Sequence, residues 1–191
     1  MNTTVLWVIV ILVAAAIIAA VLFYMRRRHS RMLQNRFGPE YDRAVKKTGD
    51  RWRAEAKLEE REKRVTRLDI RSLSPEDRAR FATAWEGIQK RFVDAPGKSV
   101  AEADRLVRDV MVARGYPMTE FERRAEDISV HYPHLTANYR AARAVAERSA
   151  RNEASTEDLR KAVVYYRELF EELLEPEGVV PGAAPRKGAV R

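Results

Sequence analysis

The 191 residues contain no cysteine and only three histidines. That removes disulfide scaffolds, thiolate nucleophiles and every zinc site built on Cys, and it agrees with a reducing compartment. No stretch alternates apolar and polar residues as a half-buried strand would. Gly38, Gly49, Gly87, Gly97 and Gly115 are isolated, so no G-x-x-x-x-G-K phosphate loop is present, and no G-x-S-x-G elbow marks a serine nucleophile. No Lys or Arg precedes Arg26. A cleaved secretory signal, which begins with a basic region, is disfavoured on that ground.

A long apolar run is present. Val5 to Met25 is 21 residues without a charge, Pro or Gly, and thirteen of them are Val, Leu, Ile or Phe. As a helix it would reach ~31 Å, the thickness of a bilayer core. At about −0.3 to −0.6 kcal/mol per large apolar residue, insertion is favoured by roughly 4 to 8 kcal/mol as an upper bound. Trp7 and Tyr24 lie near the ends, where amphipathic rings prefer the headgroup level. The run predicts an uncleaved, single-pass N-terminal transmembrane helix, a signal anchor within residues 1–25.

Arg26, Arg27, Arg28 and Arg31 follow at once. Basic residues beside a span stay on the cytoplasmic side. The predicted orientation is therefore N-terminus out, with the rest of the chain on the cytoplasmic face of a bacterial inner membrane. The partners expected are the lipid bilayer, anionic lipid headgroups at the four-arginine collar, and a protein bound by the C-terminal domain. In the apolar run, Ala15–Ala19 and Ala16–Ala20 make small-xxx-small pairs that would allow a homodimer.

The formal charge of +8 is unevenly spread. Residues 26–72 hold 16 Lys+Arg against 8 Asp+Glu, and residues 73–175 hold 17 against 19. A nucleic-acid-binding domain would carry its basic face on the fold itself. Here the excess sits beside the membrane, so no nucleic acid is expected as a partner.

Four segments are predicted: the anchor, 1–25; a basic juxtamembrane segment and charged helical stalk, 26–72; a helical domain, 73–175; and a disordered tail, 176–191. Gly38-Pro39 should break the anchor helix, with a short helix over Glu40–Lys47 ended near Gly49. Residues 50–67 are mostly charged. Leu58 and Val65 are a heptad apart, but Arg61 occupies the apolar slot between them, which predicts a solvated stalk with local Glu59–Lys63 and Glu60–Arg64 pairs.

Residues 73–175 predict about five amphipathic helices. Ser74-Pro75-Glu76-Asp77 is a helix start, followed by Phe81, Trp85, Ile88 and Phe92 on one face. Ser99 with Glu102, and Thr119 with Glu122, read as capping boxes. Pro133 opens the fourth helix and Ser155 caps the fifth, whose stripe runs through Leu159, Ala162, Tyr166, Leu169, Phe170 and Leu173. The fold class is all-α: a transmembrane helix, a stalk and a small bundle.

Little in the domain points to chemistry. His131 and His134 are an i,i+3 pair interrupted by Pro133, and any further metal ligands would have to be carboxylates from elsewhere. His29 sits among arginines and reads as interfacial. Asp104 and Asp109 read as surface acids paired with Arg108 or Arg105. The aromatic residues fall at core spacing. No catalytic, cofactor-binding or metal-ligating residue is assigned. The expected function is presentation of a small interaction domain at the membrane, with a membrane-tethered enzyme or ligand-binding domain as the alternative.

The segments RFGPEYDRAV (36–45), RLDIRSLSPEDR (67–78), RFVDAP (91–96), ADRLVRDVMVARGYP (103–117) and ASTEDLRKAVVYYRELFEELL (154–174) resemble a group of bacterial proteins of unassigned activity that have an N-terminal membrane helix. The resemblance covers residues 36–175. It implies a bacterial origin and an intact domain, and no site residue follows from it.

Overall fold

The computed structural model describes residues 3–175; of residues 3–6 and 8–10 it describes the backbone alone. The tail 176–191 lies outside the described residues. Eight α-helices and no strand are present among them: α1 Thr3–Phe37, α2 Pro39–Thr48, α3 Arg51–Thr66, α4 Pro75–Arg91, α5 Pro96–Ala113, α6 Phe121–Ile128, α7 Pro133–Ala150 and α8 Thr156–Leu174. The chain is all-α, and the bundle 73–175 has the five helices expected.

Local chemistry sets most helix ends. Ser74 and Ser155 accept the amides of Asp77 and Asp158 at 3.0 and 3.1 Å, each at the start of a helix with two acids in its first turn. Asp158 returns the bond to the Ser155 amide, closing a capping box. The boxes expected at Ser99 and Thr119 are not formed. Pro96 starts α5 three residues before Ser99, which therefore lies inside the helix, and its hydroxyl finds no partner. Helix α6 begins after Glu120 without a side-chain cap, and Thr119 Oγ1 is likewise unpaired. Proline at the first helical position fixes the start of α5 more firmly than a hydroxyl four residues into the helix can.

Helices α4, α5, α7 and α8 close the larger core. The Trp85 and Phe170 rings stack at 4.8 Å between α4 and α8, and Tyr139 meets Phe121 at 5.1 Å and Tyr166 at 6.3 Å. Val100, Val107, Val110, Met111, Leu169 and Leu173 fill the space between these rings. Each such side chain contributes about 1.5–3 kcal/mol by leaving water.

Residues 50–67 are not a solvated stalk. Ala54, Leu58, Arg61 and Val65 of α3 are buried, and with Leu33, Phe37, Tyr41, Ala44 and Val130 they form a second core. The spacing 4, 3, 4 was a genuine helical stripe with an arginine in it. Arg61 turns inward because it meets acids there: Glu40 at 3.6 Å and Glu126 at 3.3 Å, with Ser129 Oγ accepting from Nη1 at 3.0 Å. Nor do the local pairs on α3 hold. Glu59 bonds His29, and Arg64 reaches Asp127 at 2.7 Å. For Arg64 the tertiary partner outcompetes the exposed i,i+4 one because Asp127 is buried, which strengthens the contact.

Helix α1 is continuous across the change from apolar to basic sequence. Among the described residues no helix is long and apolar enough to cross a membrane. The run counted above starts at Val5, so the side chains of Val5, Leu6, Val8, Ile9 and Val10 lie outside the described residues. From Ile11 to Met25 every residue is exposed, with Ile11, Leu12, Ile17, Leu22 and Phe23 all 58–67% accessible.

Candidate functional site

Helices α1, α2 and α3 form a compact three-helix layer, and its register decides where the charges lie. Arg26 meets Trp52, Ser30 meets Glu55, and Arg36 meets Glu62, so α3 runs parallel to the lower half of α1. Tyr41 Oη reaches Ser30 at 3.2 Å and Glu55 at 2.7 Å, so α2 returns antiparallel between them. Gly38, at φ +46°, makes the first reversal, and Gly49, at φ +69°, ends α2. Ten residues of α2 climb ~15 Å, which brings the α2–α3 turn back to the level of Arg26–Arg28.

Arg26, Arg27, Arg28 and Arg31 are exposed. The fold adds to them. Lys46, Lys47, Arg51 and Arg53 are also exposed and border the same level, together with Trp52 at 64% accessibility. Sequence reasoning confined the collar to residues 26–31 because it treated the later basic residues as stalk. The signal that could have found them was the Thr48-Gly49-Asp50 turn, a left-handed glycine followed by an N-cap Asp that bonds the Trp52 amide at 2.9 Å. Such a turn reverses the chain.

Between α1 and α3 the structure leaves an open bowl of about 540 Å³. On α1 it is lined at spacings of three and four residues by Phe23, Arg26, Arg27, Ser30, Arg31 and Gln34, and on α3 by Arg51, Trp52 and Glu55. The Arg26 guanidinium lies 4.0 Å from the centre of the Trp52 ring. Glu55 is the one carboxylate in the lining, and its Oε1 accepts from both Ser30 (2.6 Å) and Tyr41 (2.7 Å).

A buried charge cluster ties this layer to the bundle. Glu40, 3% exposed, bonds Arg140 of α7 and faces Arg61. Burial lowers the Arg61 pKa, and the Glu126 and Glu40 charges oppose that. Arg64 donates from Nε and Nη2 to Asp127 Oδ1 at 2.9 and 2.7 Å. These contacts are structural: every acid faces a guanidinium.

Asp104 departs from its expected surface role. It is 3% exposed and accepts from Tyr166 Oη at 3.0 Å and Arg143 Nη1 at 2.8 Å, with Arg108 at 3.2 Å. Burial, then the Asp104 charge, pushes the Tyr166 hydroxyl well above its ordinary range. The pairing with Arg108 was legible at i,i+4, but the burial was not. Arg114 is also buried and donates to Tyr132 Oη at 2.9 Å and to the Leu173 carbonyl at 3.1 Å, at the negative end of α8.

Two of the histidines have hydrogen-bond partners, and His134 is exposed. His29 bonds Glu59 at 2.6 Å, and His131 Nδ1 lies 2.7 Å from Tyr116 Oη. Among the described residues no group of three or more His, Cys, Asp or Glu is placed to hold a metal ion. Burial, then the charges of Arg114 and Arg36, lowers the His131 pKa to about 4. The unfolded chain therefore binds a proton near pH 6.5 that the folded chain refuses until about pH 4. Stability is full above the higher value and falls with pH through that window, by about 3 kcal/mol at most. Denaturant titrations at neutral and acidic pH should show His131→Gln losing less stability on acidification than the unaltered protein; equal losses would refute the assignment. No family model, curated protein or solved structure matches the chain.

Proposed function

We propose that this chain is a single-pass membrane-anchored protein that holds a small helical domain against the cytoplasmic face of a bacterial inner membrane, where the domain binds a protein partner. One observation carries the anchor. Helix α1 is a single rod, locked at Leu33 and Phe37 into the folded layer, while its apolar residues from Ile11 to Met25 are exposed. Fifteen exposed residues of that composition are stable only in a medium that welcomes them. With Val5–Val10 the same helix has the apolar length a bilayer demands.

The collar gives the sense of insertion. Eight basic residues from α1 and the α2–α3 turn lie at one level, each contributing about 1 kcal/mol near an anionic leaflet. Because α1 enters the domain without a linker, the layer sits within about 17 Å of the membrane, the rise from Arg26 to Phe37. A domain so fixed suits recruitment of a partner at the surface.

Absence of cysteine makes the test clean. Thr3→Cys and Glu153→Cys each provide a unique thiol in a full-length chain. In intact cells stripped of their outer envelope, an impermeant maleimide should label Thr3→Cys at once and Glu153→Cys only after lysis. The protein should also resist alkaline carbonate extraction. Release by carbonate would overturn the anchor, and the reverse labelling pattern would overturn the orientation. In-cell crosslinking of the same chain should capture a protein partner through the domain; capture of lipid alone would end the interaction reading.

A further inference from the structure

We propose that the bowl between α1 and α3 binds the phosphate of one anionic phospholipid headgroup, gripped by Arg26, Arg31 and Arg51, with the acyl end leaving along Phe23. The proposal rests on the membrane reading above and goes past it, replacing a diffuse basic collar with a built site for a single lipid.

Four features converge there. The bowl gathers four guanidiniums, and none of Arg26, Arg27, Arg31 and Arg51 has a carboxylate partner among the described residues. Their neighbours on the same helices do: Arg36 pairs with Glu62 and Arg53 with Asp50. Four like charges around one cavity repel unless an anion enters, and the guanidinium fork matches two phosphate oxygens at once.

The one acid in the bowl is already engaged. Glu55 Oε1 accepts hydrogen bonds from the Ser30 and Tyr41 hydroxyls, which offset part of its charge. Trp52 lies against Arg26 and holds that guanidinium in place over the cavity. An exposed tryptophan at this level also suits the headgroup region, where one end of the ring is wet and the other is not.

Phe23 distinguishes a lipid from a free anion. It is 67% exposed and continues into the apolar length of α1 directly above the arginines. A phosphate tethered to glycerol and acyl chains satisfies both parts of the lining, whereas inorganic phosphate satisfies the lower part only. The volume lies in the range of sites that hold a small ligand.

The test uses the full-length chain in neutral detergent micelles, with phosphatidylglycerol or phosphatidylcholine added and bound lipid counted by native mass spectrometry. One phosphatidylglycerol per chain should be retained in preference to phosphatidylcholine. Arg51→Gln should weaken that retention about tenfold, the loss of one charge-assisted bidentate contact. Lys57→Gln removes one positive charge from an exposed position of α3 outside both the bowl and the collar and should change retention by less than about twofold. Equal losses in the two variants would overturn the site and leave only a diffuse collar. Displacement of the lipid by inorganic phosphate at comparable concentration would overturn the lipid assignment. Arg51→Gln should remain carbonate-resistant, so failure of the headgroup site is separable from failure of the anchor.

Discussion

Glu40→Ala should cost about 3–5 kcal/mol of stability, the effect of removing one member of a buried ion cluster. The carboxylate lies in the first turn of α2, where the helix dipole already favours an acid, and it is shared by Arg140 and Arg61, whose side chains are only 10% and 9% exposed. Truncation leaves both guanidiniums in the interior without it. Arg61 keeps Glu126 and Ser129, and Arg140 keeps Glu122 at 3.5 Å, which is half exposed and a weak substitute. Since a domain of this size has only about 5–15 kcal/mol in hand, the variant should be close to unfolding. Thermal unfolding of the full-length protein followed by circular dichroism would measure it. A double variant, Glu40→Leu with Arg140→Leu, should regain much of the loss, because it removes the guanidinium that truncation strands, while Arg61 keeps Glu126 and Ser129. A cost below about 1 kcal/mol for Glu40→Ala would show that the layer of α1–α3 is not held to the bundle by these charges.

Gly115→Ala should cost about 3–4 kcal/mol through two causes that act at one atom. The residue has φ +92°, a conformation that costs a side-chain-bearing residue roughly 1–2 kcal/mol. A Cβ there would also lie 2.2 Å from the Asp69 carbonyl oxygen, a backbone atom that cannot rotate away. The segment before α4 passes over the end of α5 at this point, with the Arg71 amide bonded to the Arg114 carbonyl at 2.9 Å. Relief of the overlap would break that bond and lift Ile70 from its place between the two cores. Gly49→Ala is the control. Its φ is +69° but nothing lies within 4 Å of the added carbon, so it should cost only the conformational part, about 1 kcal/mol. Similar losses in the two variants, read from urea titrations, would contradict the close approach.

The same glycine marks where sequence reasoning stops. A glycine after a helical stripe says that α5 ends; it does not say that another part of the chain crosses above it. The helices of the bundle were legible because proline starts, serine caps and stripes such as Phe81, Trp85 and Ile88 are local signals, set by contacts within four residues. Two caps were misplaced for the same reason, since Ser99 and Thr119 satisfied a pattern while neighbouring residues set the true starts.

Arg61 and Asp104 show the opposite limit. Charged side chains on amphipathic helices ordinarily face water, so an arginine between Leu58 and Val65 predicted exposure. Only the folded chain brings Glu40, Glu126 and Ser129 to Arg61, from positions 21, 65 and 68 residues away in the sequence. Asp104 likewise depends on Tyr166 and Arg143, which lie on other helices. Burial of a charge is a property of its partners, and these partners were distant.

By itself, the sequence determined the helical class, the five helices of the bundle and the break at Gly38-Pro39, because periodicity and capping act over short range. Tertiary structure alone decided that α3 is packed rather than solvated, that α1 continues into the folded layer without a linker, and that Arg51 and Trp52 join the collar arginines around one bowl. The physical reason is the return of α2. A ten-residue helix running back along α1 sets which residues share a level, and a register between helices is fixed by long-range packing of Leu33, Phe37, Tyr41 and Leu58, which no local pattern encodes.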